Sequence, residues 1–183
     1  MKTDLRQHLI VGRILSAHGI SGAVRVQSLT DDPARFASLK TCWLLDEQEK
    51  PVRLLRVLSA RTQNAGQVLL QIEGVTDRDM ALALRGRLLA VARADAVKLP
   101  ADHWFVCDLI GCDVFDEKEG ALGVVHEVLQ HTAQDVFVIR KAGQPDLLFP
   151  AIKSILRHVD LTSRRIEVCL PDGLFALYRK EKP

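Results

Sequence analysis

Aromatic side chains are scarce in this sequence, at 5% of 183 residues, whereas 48% of the residues are hydrophobic. The core must therefore be built mainly from Leu, Val, Ile and Ala. No apolar run approaches the roughly 18 uninterrupted residues that a membrane-spanning helix requires, which predicts no such helix. With 26% charged residues, the composition is typical of a soluble globular protein with one large or two small domains.

Cysteine and histidine are poorly placed for metal or redox chemistry. Cys107 and Cys112, the closest pair of four cysteines, are too far apart for a zinc knuckle or a redox motif. The histidines form no His-Glu-x-x-His motif. The N-terminal segment has charges but no apolar stretch with a cleavage site. We therefore expect free buried thiols, no metal, no membrane association and a cytoplasmic location.

Catalytic motifs are also missing. The chain has no serine-centred elbow, no glycine-rich phosphate loop leading into a helix and no acid pair of defined separation, so no catalytic residue can be named. We expect a binding protein without a cofactor. The alternative from another class is a barrel enzyme that holds a cofactor such as a flavin.

Charge is distributed unevenly along the chain, although the net charge is only +2. Residues 1–98 hold 15 Lys and Arg against 10 Asp and Glu, whereas residues 99–183 hold 10 against 13. The first part is therefore basic and the second acidic, which favours different partners for the two parts.

The first part of the chain is typical of short β-strands separated by polar turns. Alternating or apolar runs predict strands at 8–15, 22–29, 42–45, 52–57, 67–72 and 87–91. A capping-box pattern, Thr76 followed by Asp79, predicts a helix that ends at Gly86. This spacing favours a small closed barrel over residues 8–98.

The second part is again rich in strands, after a short linker at residues 99–103 that contains Pro100. Strands are predicted at 108–115, 122–128, 135–140, 147–150, 155–159 and 165–170. The fold class is therefore mostly β, with two β-barrel domains at 8–98 and 104–175. Residues 176–183 are expected to form a solvated tail.

The loop after the first strand, Ser16 to Gly22, contains a histidine and two glycines. A phosphate-binding loop would lead into a helix, but here a strand follows. Gly19 and Gly22 are better explained by a turn between two barrel strands, and Gly111 and Gly123 are assigned to turns as well. His18 either caps this bend or binds a ligand directly.

Several ordered motifs resemble the RimM ribosome maturation factors. "VGRILSAHGISGAVRVQSLTDDPARF", residues 11–36, is similar to the N-terminal signature of that family, and "IEGVTDRDMALALRGRLLAV" is similar to its following helix and strand. The stretches "DLIGCDVF", "LGVVHEVLQ", "DVFVIR", "FPAI" and "VDLTSRRIEVCLPDGL" are similar, in order, to its PRC-barrel part. The resemblance covers about residues 8 to 175.

The resemblance implies a fold and a function. It implies an N-terminal barrel like the second domain of translation elongation factors, followed by a C-terminal PRC-barrel. It also implies an assembly factor without catalysis that binds the immature small (30S) ribosomal subunit. Such a factor assists folding and processing of the 3′ head region of 16S rRNA, contacts ribosomal protein S19 through the PRC-barrel, and is expected to be a monomer.

Arginines of the first part are the candidate RNA contacts. Arginine outnumbers lysine ten to three before residue 92, and its planar fork suits phosphates and unpaired bases. Any single one of them can equally be an ordinary solvating charge, but as a set they favour binding. The candidate RNA-binding residues are Arg13, His18, Arg25, Arg35, Arg56 and Arg61.

Trp104 and Phe105 are the candidate contacts to a ribosomal protein. The resemblance implies adjacent tyrosines at this position, so the rings are retained here without the hydroxyls. They form either a protein interface or a hydrophobic plug between the two barrels. Asp135 is the third candidate: it either fixes a turn, where Thr132 and Gln134 depart from the family pattern, or pairs with a basic ribosomal protein.

Overall fold

Two compact units make up the protein, and the change from one to the other falls between Lys98 and Leu99. The computed structural model describes residues 5–30, 33–63, 66–130 and 134–179. The split falls at the position where the sequence changes from basic to acidic. No described helix is long and apolar enough to cross a membrane.

The first unit, Arg6–Lys98, is a closed barrel of six strands. The strands are β1 (His8–His18), β2 (Ala23–Ser28), β3 (Thr41–Leu45), β4 (Pro51–Thr62), β5 (Gln67–Ile72) and β6 (Leu88–Ala92). They pair in the order β1-β2-β5-β4-β3-β6, and β6 returns to β1. The predicted barrel is confirmed.

The interior of this barrel is filled by alternate strand residues. Val24 and Val26 of β2 and Val68 and Leu70 of β5 are fully buried, as the two-residue period of a strand requires. A 3₁₀ helix, Pro33–Ser38, carries the buried Phe36 and packs against β4 and β5.

Helix α1 (Arg78–Ala83) follows β5, close to its predicted position, but its capping residue differs from the prediction. Asp77 is the N-cap, and its Oδ1 accepts a hydrogen bond of 2.8 Å from the Met80 amide. Thr76, predicted to be the cap, is hydrogen-bonded through its hydroxyl to the Met80 sulfur at 3.7 Å. The carboxylate one residue later is the better acceptor for the free amides of the first turn.

The second unit is built on a six-stranded sheet. Its strands are β7 (Asp113–Asp116), β8 (Gly120–Leu129), β9 (Val136–Arg140), β10 (Leu147–Pro150), β11 (Leu156–Asp160) and β12 (Arg165–Val168). They pair in the order β10-β9-β8-β7-β12-β11, with β7 and β12 parallel. Among the described residues, β10 and β11 are therefore the edges of this sheet.

Two short helices in the second unit differ from the prediction. Helix α2 (Val106–Leu109) occupies the start of the strand predicted at 108–115. Helix α3 (Leu174–Tyr178) and Arg179, which is 3% exposed, occupy part of the expected solvated tail. Residues 180–183 of that tail, Thr132 of the predicted turn and the turn residues 31–32 lie outside the described residues.

Arg179 explains why residues 176–179 are not a solvated tail. Its guanidinium donates to the backbone carbonyls of Leu122, Ile139 and Pro145. Burial lowers the pKa of this guanidinium, and the three carbonyl acceptors satisfy it in place of water. The arginine therefore joins β8, β9 and the loop before β10 to the segment after α3.

We expect Arg179→Met to lower the free energy of unfolding by about 2–4 kcal/mol, because three backbone carbonyls, two of them on the buried residues Leu122 and Ile139, lose a charged donor. Chemical denaturation followed by circular dichroism measures this change. Leu177→Ala is the matched control, since Leu177 is 81% exposed and its loss should change stability by less than about 0.5 kcal/mol. Equal effects of the two substitutions would contradict the role given to Arg179.

Gly22 allows the β1–β2 turn to pack closely against another segment. Its φ is +78°, and a Cβ built there would lie 2.2 Å from the Val75 carbonyl oxygen. Gly19 and Gly111 also lie in turns. Gly123, assigned to a turn from sequence, lies instead inside β8, where a Cβ would meet the Arg140 carbonyl oxygen at 2.3 Å.

Gly22→Ala should therefore destabilise the first unit by more than about 3 kcal/mol, because the new methyl group collides with backbone in a conformation that L-residues avoid. Gly19→Ala is the control. Gly19 has a φ of +65° but nothing within 4 Å of its Cβ position, so we expect a loss of only about 1–2 kcal/mol. Urea unfolding of both variants tests this difference.

Candidate functional site

A basic surface lies on the outer side of the first barrel. Arg13 pairs with Gln27, Arg25 pairs with Leu69, and Leu69 pairs with Arg61. Directly paired residues of antiparallel strands point to the same side of a sheet, and so do residues two apart on one strand. Arg13, Arg25 and Arg61 therefore share one outer surface, which we call the basic face.

The arginines of the basic face are close enough to act on one ligand. Arg25 and Arg61 flank Leu69 across two strand spacings, about 10 Å at the backbone. Arg13 and Arg61 are exposed, and Arg25 is half-buried. The three side chains can therefore present several donors to neighbouring anionic groups.

His18 joins this surface because β1 contains a bulge. The register of β1 against β2 shifts between Ile14 and Ser16, so His18 pairs with Ala23. Without that shift, residues 13 and 18 would point to opposite sides of the sheet. His18 instead contacts Arg25, whose Nη2 lies 3.3 Å from the His18 Nδ1.

Two candidate arginines lie apart from the basic face. Arg35 is in the 3₁₀ helix, not on a strand. Arg56 is on β4 opposite Thr41 and forms an ion pair of 3.5 Å with Glu73. Its charge is therefore partly neutralised, and the structure gives these two residues less support as RNA contacts.

Arg78 is a residue near the basic face that sequence reasoning did not select. It is the first residue of α1, and its Nη1 donates to the Gly19 carbonyl oxygen at 3.3 Å. The available signal was its place in the "TDRD" stretch of the second motif. Its contact with the β1–β2 turn depends on the fold and could not be read from spacing.

A cleft of about 620 Å³ lies in the second unit. Trp104 and Asp135, two of the candidate contacts to a ribosomal protein, line it together. Its other walls come from α2 and the segment before it, the start of β9, the residue after β10 and most of β11. The lining residues there are His103, Val106, Leu109, Phe137, Ala151, Leu156, Arg157, His158 and Val159. Asp102 and Lys153 also line the cleft and form an ion pair of 3.0 Å.

Trp104 and Phe105 have different environments. Trp104 is half-buried and packs against the hydrophobic core of the second unit while also lining the cleft. Phe105 is the residue before α2 and does not line the cleft. The structure therefore separates two residues that the sequence presented as a pair.

Asp135 offers an acidic group at the cleft. Its backbone carbonyl accepts from the Ala151 amide at 2.8 Å. Among the described residues, its carboxylate has no hydrogen-bond or ion-pair partner. The carboxylate is therefore available to a basic side chain of a partner.

The cysteines are free thiols. Cys42 is buried, and burial raises the pKa of its thiol to about 12; burial also raises the pKa of Cys112. Such thiols are protonated near neutral pH and are poor nucleophiles or metal ligands. In the part of the chain that the structure describes, no three His, Cys, Asp or Glu residues are grouped to hold a metal ion.

The chain is therefore a two-unit β protein, in which a closed barrel with a basic outer face is followed by a second β unit with a cleft. Family models match both units: the RimM N-terminal domain at residues 9–96 and the RimM PRC barrel domain at residues 106–174. The chain belongs to the RimM family of ribosome maturation factors.

Curated relatives agree over nearly the whole length. The chain is 38% identical to ribosome maturation factor RimM of Acetivibrio thermocellus, over 92% of this chain and 96% of that protein. It is 37% identical to the protein of the same name from Caldanaerobacter subterraneus subsp. tengcongensis, over 90% and 96%. A crystal structure of a RimM protein from Pseudomonas aeruginosa is similar at 24% identity and a TM-score of 0.45, over 90% and 98% of the chains.

Proposed function

We propose that this RimM-family protein binds the immature small ribosomal subunit and assists folding and processing of the 3′ head region of 16S rRNA. The first unit contacts the RNA, and the second contacts ribosomal protein S19. The protein acts by binding, without catalysis, as a cytoplasmic monomer. The observation that carries this proposal is the basic face, which gathers three arginines on one side of the first barrel.

The basic face suits an RNA partner for electrostatic reasons. Arginine neutralises phosphates and releases the counterions condensed around them, which favours binding whatever the sequence. The first unit is also basic as a whole, so its field attracts a polyanion before contact. The chemistry of the surface and the family name both support rRNA as the ligand.

Asp135 gives the cleft a carboxylate that suits a basic protein partner. A protein that is itself embedded in rRNA carries excess positive charge for the same electrostatic reason. The second part of the chain is acidic, and the carboxylate of Asp135, which has no partner among the described residues, lines the same cleft as Trp104. A basic side chain on Asp135 and an apolar group against Trp104 would occupy this cleft together.

Association with small-subunit particles should weaken as salt is raised. If Arg13 and Arg61 each contact one phosphate, affinity should fall roughly 7- to 12-fold between 50 and 200 mM salt. The double variant R13Q/R61Q should bind more weakly and show a shallower salt dependence. R56Q is the control, because Arg56 is paired with Glu73. Affinity unchanged by salt would contradict a contact led by phosphates.

Asp135→Lys should weaken binding to isolated S19 by tenfold or more, because a like charge replaces an attractive one. Binding to rRNA by the same variant should not decrease. Asp172→Lys is the control: Asp172 is exposed and paired with Lys118 outside the cleft. Equal loss for both variants would indicate a general charge effect instead of a site at Asp135.

Trp104→Ala alone does not separate binding from folding, because Trp104 also packs on the core. Thermal unfolding of this variant is therefore measured together with its binding to S19.

The alternative, a barrel enzyme that holds a cofactor, has its own test. A flavin bound to the purified protein would contradict the proposal as a whole.

A further inference from the structure

The β1–β2 turn of the first unit carries an exposed apolar side chain two residues after a histidine. We call residues 18–22 the hairpin tip. Ile20, within it, is 85% exposed. We propose that the hairpin tip reads single-stranded RNA, and that Arg25 is a positioning residue for His18 instead of a phosphate contact. This inference rests on the proposed function, because it assumes that the first unit binds rRNA.

The contact between Arg25 and His18 defines which nitrogen of His18 carries the proton. A guanidinium can only donate hydrogen bonds. The His18 Nδ1, 3.3 Å from Arg25 Nη2, must therefore be the acceptor, and the proton of the neutral ring lies on Nε2. Arg25 thus holds His18 in the tautomer that presents an N–H donor on its far side.

The Nε2–H of His18 is open to a ligand. Among the described residues, His18 Nε2 has no hydrogen-bond partner. It is also not buried, because Arg25 Nε is the buried side-chain atom without a partner in the described part of the chain. A single N–H donor on a neutral ring matches an oxygen or nitrogen acceptor. RNA supplies such acceptors on base edges, on 2′-hydroxyl groups and on phosphates.

Arg25 is held in this arrangement at a cost in folding free energy. Its Nε is buried and has no hydrogen-bond partner, and a buried N–H without a partner is destabilising. Stability alone therefore does not explain the arginine at this position. Its contact with His18 gives it a functional role.

Contacts with other segments of the first unit hold the hairpin tip in place before any ligand binds. Arg78 donates to the Gly19 carbonyl at 3.3 Å, and Gln71 donates to the Ser21 carbonyl at 3.0 Å. Gly22 is packed against the backbone of Val75. A turn held in this way loses little conformational freedom on binding, which favours affinity.

An unpaired RNA segment is the ligand that these features fit. Bases in loops and single strands expose both an apolar face, which suits Ile20, and acceptor atoms, which suit His18. Base-paired RNA hides the apolar faces and the Watson–Crick edges of its bases. Arg13 and Arg61 lie on the same side of the barrel, so a polyanion is favoured over a protein as the occupant.

The first experiment uses His18 and Arg25 with a transcript of the 3′ domain of 16S rRNA. His18→Asn keeps an acceptor near Nδ1 but removes the distal donor, and His18→Gln keeps a donor near Nε2. We expect H18N to bind the transcript five- to tenfold more weakly and H18Q to bind within about twofold of the parent protein. H18N binding as well as the parent would overturn the proposal.

A double-variant cycle tests whether Arg25 acts through His18. R25M alone should weaken binding five- to tenfold, but should add less than twofold in an H18N background. Imidazole ¹⁵N NMR of the free protein should show the proton on Nε2 in the parent and a mixture of tautomers in R25M. Additive effects with an unchanged tautomer would identify Arg25 as an independent phosphate contact and overturn its positioning role.

Ile20→Ala tests the apolar contact without a folding penalty. We expect binding to the transcript to weaken about three- to fivefold, whereas the control Leu177→Ala, equally exposed at 81% in α3, should leave it unchanged. If I20A weakens binding to isolated S19 and not to RNA, the tip is a protein contact and the proposal fails.

The two levels of the argument fail in different ways. If the parent protein does not bind the transcript, the proposed function fails. If the parent binds and R13Q/R61Q weakens binding while the tip variants do not, only the inference about the hairpin tip fails.

Discussion

The two-residue period of the strands in the closed first barrel is the constraint on which its surface depends. Val24 and Val26 are fully buried, so Arg25 between them must point outward. Leu69 pairs with Arg25 on one side and with Arg61 on the other, so Arg61 points outward as well. A shift of one residue in pairing would bury arginine and expose valine, which is strongly unfavourable. The basic face is therefore specified by the same pattern that builds the core.

The sequence predicts most of the strands because alternation bounded by turn residues is a strong local signal. β5 and β10 occupy the predicted residues. The two short helices of the second unit were not predicted: α2 has four residues and α3 has five, too few for a helical period to appear. The charges of the C-terminal segment predicted a solvent-exposed tail. Arg179 is nevertheless buried, because carbonyl groups that are distant in sequence accept its hydrogen bonds.

The sequence predicts which residues belong to the candidate site better than it predicts how those residues contact each other. Outward positions for Arg13 and Arg25 follow from alternation with buried neighbours, whereas Arg61 lies beyond the strand predicted at 52–57 and has no buried neighbour in sequence. The contact of His18 with Arg25 does not, because it depends on the bulge after Ile14, which leaves no mark in composition. The placement of Trp104 and Asp135 in one cleft depends in the same way on long-range packing of the second unit.

Arg179 also has a consequence for the order in which the protein matures during translation. It bonds the carbonyl of Leu122, 57 residues earlier in the chain. All six strands of the first barrel lie within Arg6–Lys98, so that barrel can close while later residues are still inside the ribosomal exit tunnel. The contacts of Arg179 in the second unit form only after Arg179 has emerged, so the first unit of a nascent molecule can become native before the second.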